Sequence, residues 1–153
     1  MCHTIAVEFE TKTENRIIAF SDTRSRVQYK VLNTLSKELS YFQVDGALIN
    51  DERVEKCDHL LIDCSEENSY FIEIKGSDLI KATQQILSTI AILKPKMAGL
   101  KMNARIVLTR VNATDLRDSA FVRFKNIIKD LGGNVKQQSI KLEESLWKKS
   151  YHY

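Results

Sequence analysis

The chain has 153 residues, of which 43% are hydrophobic and 28% charged, and its formal net charge is +3. This length suits one domain with a substantial core, and the composition excludes a disordered or fibrous chain. No apolar run approaches the ~18 residues needed to span a membrane, and the N-terminus lacks the basic and apolar regions of a signal peptide. We therefore expect a cytoplasmic protein that does not associate with membranes.

The three cysteines, Cys2, Cys57 and Cys64, form no CxxC pair. An odd and dispersed set of cysteines argues against a disulfide framework and against a structural zinc site. This pattern also favours a reducing compartment, in agreement with a cytoplasmic location.

The two halves of the chain differ in charge. Residues 1–75 carry 9 Lys or Arg against 14 Asp or Glu, whereas residues 76–153 carry 14 against 6. A basic half can bind phosphate groups, although a solvated helix surface gives the same pattern. The candidate phosphate contacts are Arg123, Lys125, Lys129, Lys148 and Lys149.

The first 20 residues predict a β-hairpin. Residues 5–10 alternate apolar and polar side chains, residues 13–15 supply a turn, and residues 16–20 form the returning strand. We expect these two strands to pair with each other.

A helix is expected from Ser21 or Asp22, either of which can cap it, to about Ser40. Apolar residues recur at steps of three or four along this stretch, which predicts one buried face. Glu38 follows Leu35 by three residues and so lies beside that face, close to the core. The apolar positions are Val27, Val31, Leu35, Leu39 and Phe42.

The middle of the chain predicts three strands, at residues 42–50, 57–64 and 70–75. The second is apolar on both faces at its centre, which is typical of a covered strand inside a sheet. The remaining elements are a helix capped by Ser77 and ended by Pro95, a strand at 105–109, a helix from Thr114 or Asp115 to Gly132, an edge strand at 135–142, and a basic, aromatic tail at 143–153. This order predicts an α/β domain with helices on both faces of a mixed sheet.

An acidic and a basic residue stand close together on the third predicted strand. Glu73 and Lys75 are two residues apart, so both side chains leave the same face. Asp58 lies 15 residues earlier, at the start of the preceding strand, and converges with Glu73 if the two strands pair. Two carboxylates and a backbone carbonyl such as that of Ile74 are hard oxygen ligands of the kind that Mg²⁺ prefers. Beside such an ion, Lys75 could orient or deprotonate an attacking water and stabilise a phosphorane.

The pattern Asp58-x14-Glu73-Ile74-Lys75 resembles the PD-(D/E)XK nuclease superfamily, which has the restriction-endonuclease-like fold. The order of the predicted elements agrees with that family over residues 22–110. In the family, the second and third strands carry the Asp and the ExK motif. The resemblance therefore implies a metal-dependent hydrolysis of phosphodiester bonds.

Two further site residues follow from the resemblance alone. The first helix of the family often holds an acidic residue, for which Glu38 is the candidate. The next helix often holds a Gln that faces the site, and Gln85 matches best, with Gln84 as the alternative. One departure is that Cys57 precedes Asp58 where the family motif has Pro.

Each of these residues also has a purely structural interpretation. Glu73 and Lys75 could form an exposed ion pair on an edge strand, and Asp58 could simply begin a strand at a turn. Glu38 and Gln85 could be solvated helix residues.

Two neighbouring residues are expected not to take part. His59 alternates to the other face from Asp58, so we expect it to pack rather than to act as a base. Asp45 precedes Gly46 and is interpreted as a turn residue rather than a ligand.

These observations lead to one functional hypothesis and its alternatives. We expect an endonuclease that uses Mg²⁺, with Mn²⁺ as a substitute, to cut DNA. A homodimer, which the resemblance suggests, would present two sites to the two strands. The alternatives are a nuclease of the same fold that cuts RNA, an inactive module that binds nucleic acid, and a structural or protein-interaction domain.

Overall fold

Two β-sheets and a layer of helices make up residues 2–146, the part of the chain that the computed structural model describes. The strands are β1 (Thr11–Thr13), β2 (Ile17–Asp22), β3 (Val27–Leu32), β4 (Leu39–Gln43), β5 (His59–Asp63), β6 (Asn68–Glu73), β7 (Lys101–Leu108), β8 (Gly132–Ser139) and β9 (Lys141–Ser145). The helices are α1 (Leu79–Leu93), α2 (Ala113–Leu116) and α3 (Ser119–Asp130).

The larger sheet has six strands in the order β1-β4-β5-β6-β7-β8. β4, β5 and β6 form an antiparallel meander, and β7 and β8 extend the sheet parallel to β6. Parallel neighbours need a crossover connection, which α1 supplies between β6 and β7 and α3 between β7 and β8. The predicted mixed α/β architecture is confirmed.

The smaller sheet, in the order β2-β3-β9, covers one face of the larger sheet. One apolar cluster fills the space between the sheets and includes Tyr29, Val31, Leu61, Ile72 and Val107. A second cluster lies between the larger sheet and the helices and includes Phe42, Leu60, Phe71, Ile86 and Phe124. β5 and β6 are therefore buried on both faces, as their sequences predict.

The strands predicted at 57–64, 70–75 and 105–109 are confirmed, and so is the helix that follows Gly76. Its cap is Asp78 instead of Ser77, because the Asp78 side chain accepts a hydrogen bond from the Lys81 N–H. The last predicted helix is present as α2 and α3.

The helix predicted at residues 21–40 is wrong, because this stretch forms an antiparallel β2–β3 hairpin followed by a loop. Val27 and Val31 are four residues apart, a spacing that fits one face of a helix and one face of a strand equally well. Tyr29, between them, is also fully buried, which fits only the two-residue period of a strand. As a consequence, α1 and α3 lie on one face of the larger sheet and a second sheet covers the other, so the prediction of helices on both faces is wrong.

The predicted N-terminal hairpin is also wrong. β1 pairs with β4, and β2 pairs with β3, so the two N-terminal strands belong to different sheets. Residues 7–9 form a short 3₁₀ turn in which Val7 is 64% exposed, so the alternating pattern there does not mark a strand that faces a core.

Two predicted strand boundaries need correction. The strand expected at 42–50 ends at Gln43 and is followed by turns. The edge strand expected at 135–142 is divided at Ile140, whose φ of 69° lies in the left-handed region and turns the chain from β8 into β9. β9 then joins the smaller sheet, parallel to β3. The tail predicted at 143–153 begins inside β9, and residues 147–153, with their lysines and aromatic residues, lie outside the described residues.

One observation bears on the predicted cytoplasmic location. Cys2 and Cys64 form a disulfide, so the expectation that the cysteines stay unpaired is wrong. This bond joins the N-terminal segment to the end of β5 across 62 residues, a contact that cysteine spacing does not reveal. Disulfides persist mainly in oxidising compartments, so the cysteine pattern no longer supports the cytoplasm.

No helix in residues 2–146 is both long and apolar enough to cross a bilayer.

Candidate active site

The predicted acidic residues meet at one end of the larger sheet. Glu73 is the last residue of β6, and Asp58 immediately precedes β5. Because His59 pairs with Ile72 in the antiparallel register, Asp58 lies beside Glu73. The predicted convergence of these two carboxyl groups is therefore present.

Lys75 completes the group just beyond the end of β6. Its Nζ lies 3.1 Å from Oδ1 of Asp58 and 3.5 Å from Oδ2 of Asp45. The other carboxylate oxygen of Asp58 accepts a hydrogen bond from the Ile74 N–H at 3.1 Å. Asp58 is thus held from two sides, whereas the Lys75 side chain remains 52% exposed and free to meet a ligand.

Glu73 is almost completely buried, with 1% of its surface exposed. Burial raises the pKa of its carboxyl group to about 10, with further contributions from a hydrogen bond to Asp58 and from the Asp58 charge. Glu73 therefore holds a proton at neutral pH and donates it to Asp58. Among the described residues, the other oxygen of the same carboxyl group, Oε1, has no hydrogen-bond partner.

Asp58 and Lys75 are both charged in this arrangement. Burial acts to raise the pKa of Asp58, but the hydrogen bonds from Glu73 and the Ile74 N–H, together with the Lys75 charge, lower it overall. Burial acts to lower the pKa of Lys75, but the carboxylates of Asp58 and Asp45 raise it overall. The site thus combines one carboxylate, one neutral carboxylic acid and one ammonium group.

Asp58 and Lys75 border an open cavity of about 320 Å³, which we call the catalytic cavity, whereas Glu73 is buried and is not among its lining residues. The lining comes from both sheets, because β2 contributes Ser21 and Asp22 to it. The cavity is lined by Ser21, Asp22, Gln43, Asp45, Asp58, His59, Ile74 and Lys75. Carboxylate oxygens and an exposed amine facing water can bind a cation and an anionic group side by side.

Sequence reasoning missed two acidic residues of this cavity. Asp45 was interpreted as a turn residue, but its carboxylate faces Lys75 at 3.5 Å. Asp22 was taken as a helix cap and instead ends β2 at the cavity wall. The position of Asp45 beside Gly46, whose φ is 82°, signals a tight turn at a strand end, where functional side chains often lie.

A second omission is Thr89 on α1. Its hydroxyl oxygen accepts a hydrogen bond from the Cys57 N–H at 2.9 Å, and its hydroxyl proton is donated to the Gln85 carbonyl. This contact fixes the backbone next to Asp58 against α1. Thr89 therefore positions the start of β5.

The structure does not bring Glu38 to Asp58 and Glu73. Glu38 lies on the loop before β4, is 59% exposed and contacts Lys12 at 3.6 Å. The expected helix that would have placed it near the site does not form. Gln85 is half-buried on α1 and is not among the residues that line the catalytic cavity.

The basic residues of the third predicted helix are exposed on α3, outside the catalytic cavity: Arg123, Lys125 and Lys129. In residues 2–146, no group of three or more His, Cys, Asp or Glu side chains is arranged to hold a metal ion. A metal at this site would therefore have two carboxyl groups, Asp58 and Glu73, as its protein side-chain ligands.

Comparisons with protein-family models, with curated proteins and with solved structures found no match to this chain. The functional assignment therefore rests on the chemistry of the site.

Proposed function

We propose that the protein is a metal-dependent endonuclease that hydrolyses phosphodiester bonds in DNA. The observation that carries this proposal is the convergence of Asp58, Glu73 and Lys75 at one end of the larger sheet, where Asp58 and Lys75, in contact at 3.1 Å, line an open cavity. Burying two adjoining carboxyl groups is costly and raises the pKa of Glu73. A structural role alone does not explain why they are buried together.

The order of elements supports the PD-(D/E)XK interpretation. β4, β5 and β6 form three consecutive strands, and α1 and β7 follow, as in the family pattern, with Asp58 directly before β5 and the ExK motif beginning at Glu73, the last residue of β6. In residues 2–146 the hairpin of β2 and β3 stands where that pattern has its first helix. We therefore propose that the fold is a variant of the restriction-endonuclease-like core.

The residues at the site fit a divalent cation. Within residues 2–146, the buried Oε1 of Glu73 has no hydrogen-bond partner, and Asp58 supplies a second carboxyl group beside it. These two side chains, with the backbone carbonyl of Ile74, would hold Mg²⁺, and Mn²⁺ can replace it. When bound, such a cation lowers the pKa of a bound water and neutralises charge on a phosphate oxygen.

Glu73 would have to lose its proton to act as a ligand, so cation binding would release a proton from the buried pair. The protonated amine of Lys75, at the cavity edge, orients the attacking water and stabilises the negative charge that develops on the phosphate oxygens.

A cleavage assay tests the proposal directly. Plasmid, linear duplex, single-stranded and branched DNA, with RNA alongside, are incubated with Mg²⁺ or Mn²⁺. Lys75→Ala and Asp58→Asn should each lower the cleavage rate by roughly 100-fold or more. Lys81→Ala is the matched control, because Lys81 is an exposed lysine on α1 that does not line the catalytic cavity.

The outcomes distinguish the alternatives. Metal-dependent cutting that persists in the control and is lost in both site variants supports the nuclease. Cutting of RNA alone would replace DNA by RNA as the substrate. Binding that weakens steeply with salt, without any cutting, would reject the enzymatic assignment in favour of an inactive nucleic-acid-binding module.

A further inference from the structure

A second cavity opens beside the catalytic cavity, between β2 of the smaller sheet and the edge of the larger sheet. Its volume is about 390 Å³, within the range of roughly 300–1,000 Å³ that is usual for small-molecule sites. We call it the aromatic cleft, because its inner wall is formed by Phe20, Tyr41 and His59.

The three rings of the aromatic cleft form one cluster. The centroid of Phe20 lies 5.4 Å from that of Tyr41 and 5.0 Å from that of His59, and Tyr41 and His59 are 5.7 Å apart. A hydrogen bond of 3.1 Å joins the Tyr41 hydroxyl to Nδ1 of His59 and holds both rings. Phe20 is buried beneath, whereas Tyr41 and His59 remain half-exposed and present their surfaces to the cleft.

The aromatic cleft also has polar lining residues. Thr13, Asn15 and Ser21 line it, and all three carry groups that donate and accept hydrogen bonds. A flat ring with polar atoms around its edge fits such a cleft, since the ring stacks on aromatic side chains and its edge meets hydroxyl and amide groups.

The aromatic cleft adjoins the catalytic cavity. His59 and Ser21 line both, and His59 directly follows Asp58 in the chain. A ligand that fills both spaces therefore carries an anionic group next to a flat, polar ring. A nucleotide has this composition.

We propose that the aromatic cleft binds one nucleobase of the strand that is cut. This inference rests on the proposed function, and it names the substrate class of the same site. A base inside an intact duplex is paired and stacked on its neighbours, so only an unpaired base can enter the cleft without the cost of extrusion. The substrate is therefore single-stranded DNA or an unpaired segment such as a flap or a frayed end.

A binding experiment without metal tests the cleft separately from catalysis. Short single strands that contain 2-aminopurine are titrated with the protein in EDTA, and stacking is read as quenching of the fluorescent base. Tyr41→Leu should weaken binding roughly tenfold or more and remove the quenching, because one stacked base is lost. Tyr41→Phe keeps the ring and should rescue both relative to Tyr41→Leu. Ile17→Ala, an exposed position on β2 outside the cleft, is the matched control.

A second variant distinguishes loss of binding in the cleft from a folding defect in Tyr41→Leu. Ala19 is exposed on the rim of the cleft, so the larger side chain of Ala19→Phe should obstruct it and weaken binding without removing a packed group. The melting temperatures of all variants are compared with that of the wild type.

The proposal is overturned if folded Tyr41→Leu and Ala19→Phe bind single strands as tightly as the wild type, or if a fully paired duplex binds as tightly as the single strand. Cleavage of the same strands in Mg²⁺ is then measured. A protein that binds single strands through Tyr41 but cuts none supports the cleft and rejects the nuclease. A protein that cuts intact duplex and single strands equally well, with no effect of either variant, supports the nuclease and rejects the cleft.

Discussion

At the scale of single residues, the chemistry of the site depends on where one proton lies. The neutral Glu73 and the ionised Asp58 share it, and Lys75 balances the remaining charge. Two adjacent carboxyl groups that differ in this way constitute one titrating unit. Without a cation, the buried Asp58–Glu73 pair is stable only while Glu73 keeps its proton.

Replacement of Glu73 by Gln tests this arrangement in the metal-free protein. The pKa of Glu73 is raised from 4.5 to about 10 on folding, so the folded state keeps a proton that the unfolded chain releases. The free energy of unfolding should therefore fall as pH rises between these values, by up to about 1.4 kcal/mol per pH unit. Gln is uncharged at every pH, so Glu73→Gln should be more stable than the wild type at pH 8, by an amount that grows with pH.

The measurement is urea unfolding in EDTA at several pH values, with Glu38→Gln as the control, because Glu38 is exposed on a loop. A pH-independent difference between Glu73→Gln and the wild type would show that Glu73 is ionised in the folded protein. Addition of Mg²⁺ should raise the melting temperature of the wild type and of Glu38→Gln, but not that of Glu73→Gln.

At the scale of elements, a hydrogen bond joins α1 to the segment just before β5, beside the site. Thr89 accepts it from the buried Cys57 N–H. Thr89→Val keeps the shape of the side chain but leaves this N–H without its acceptor, so we expect a loss of about 1–3 kcal/mol in the free energy of unfolding. Cleavage should weaken as well, since Asp58 follows Cys57 directly.

Thr89→Ser is the matched control, because it keeps the hydroxyl group and should retain most of the cleavage activity. Both quantities are measured by urea unfolding and by the rate of cleavage at saturating Mg²⁺. Equal activity of Thr89→Val and Thr89→Ser would mean that this contact does not position Asp58.

The elements also show what local sequence patterns can predict. β5, β6 and α1 were predictable because their burial pattern is set by their own residues and by a short turn. The pairing of β5 with β6 is enough to place Asp58 beside Glu73. The spacing of Val27 and Val31 could not separate a helix from a strand. Asp22 enters the site only through the packing of the smaller sheet on the larger one, and Asp45 enters it through the turn after β4 of the larger sheet; no local pattern encodes either contact.

At the scale of the whole molecule, the Cys2–Cys64 disulfide closes a loop that contains β1 to β5. Removal of such a crosslink lets the unfolded chain explore more conformations, at a cost of about 2–5 kcal/mol. The double variant Cys2→Ser and Cys64→Ser should therefore melt at a lower temperature than the wild type. Reductant should lower the melting temperature of the wild type but not that of the double variant. An equal effect on both proteins would show that the Cys2–Cys64 disulfide does not stabilise the fold.

The two sheets are also joined by a buried polar cluster. Glu144 of β9 accepts hydrogen bonds from Arg105 of β7 at 2.5 Å and from Tyr29 of β3, and Lys136 contacts its other oxygen at 2.8 Å. Arg105 is only 3% exposed, so each charge depends on the other for compensation. A charge left alone here would be buried and unpaired.

Glu144→Gln should therefore destabilise the protein by about 3–5 kcal/mol at pH 7, because it leaves the Arg105 charge uncompensated. Burial acts to raise the pKa of Glu144, but the charge and hydrogen bond of Arg105, together with the hydrogen bonds from Lys136 and Tyr29, lower it overall. The folded state thus holds this proton less tightly than the unfolded chain. The stabilisation is present above the unfolded pKa of 4.5 and is lost as pH falls through the lower pKa of the folded state.

Urea unfolding between pH 7 and pH 3 measures this effect, with Glu143→Gln as the matched control on the same strand. Glu143 is 43% exposed and contacts Lys141 at 3.6 Å, so its replacement should cost no more than about 1 kcal/mol. The difference in the free energy of unfolding between Glu144→Gln and the wild type should become smaller on acidification, because the wild type loses its own ion pair. If this difference stays constant to pH 3, Arg105 and Glu144 do not join the sheets through charge.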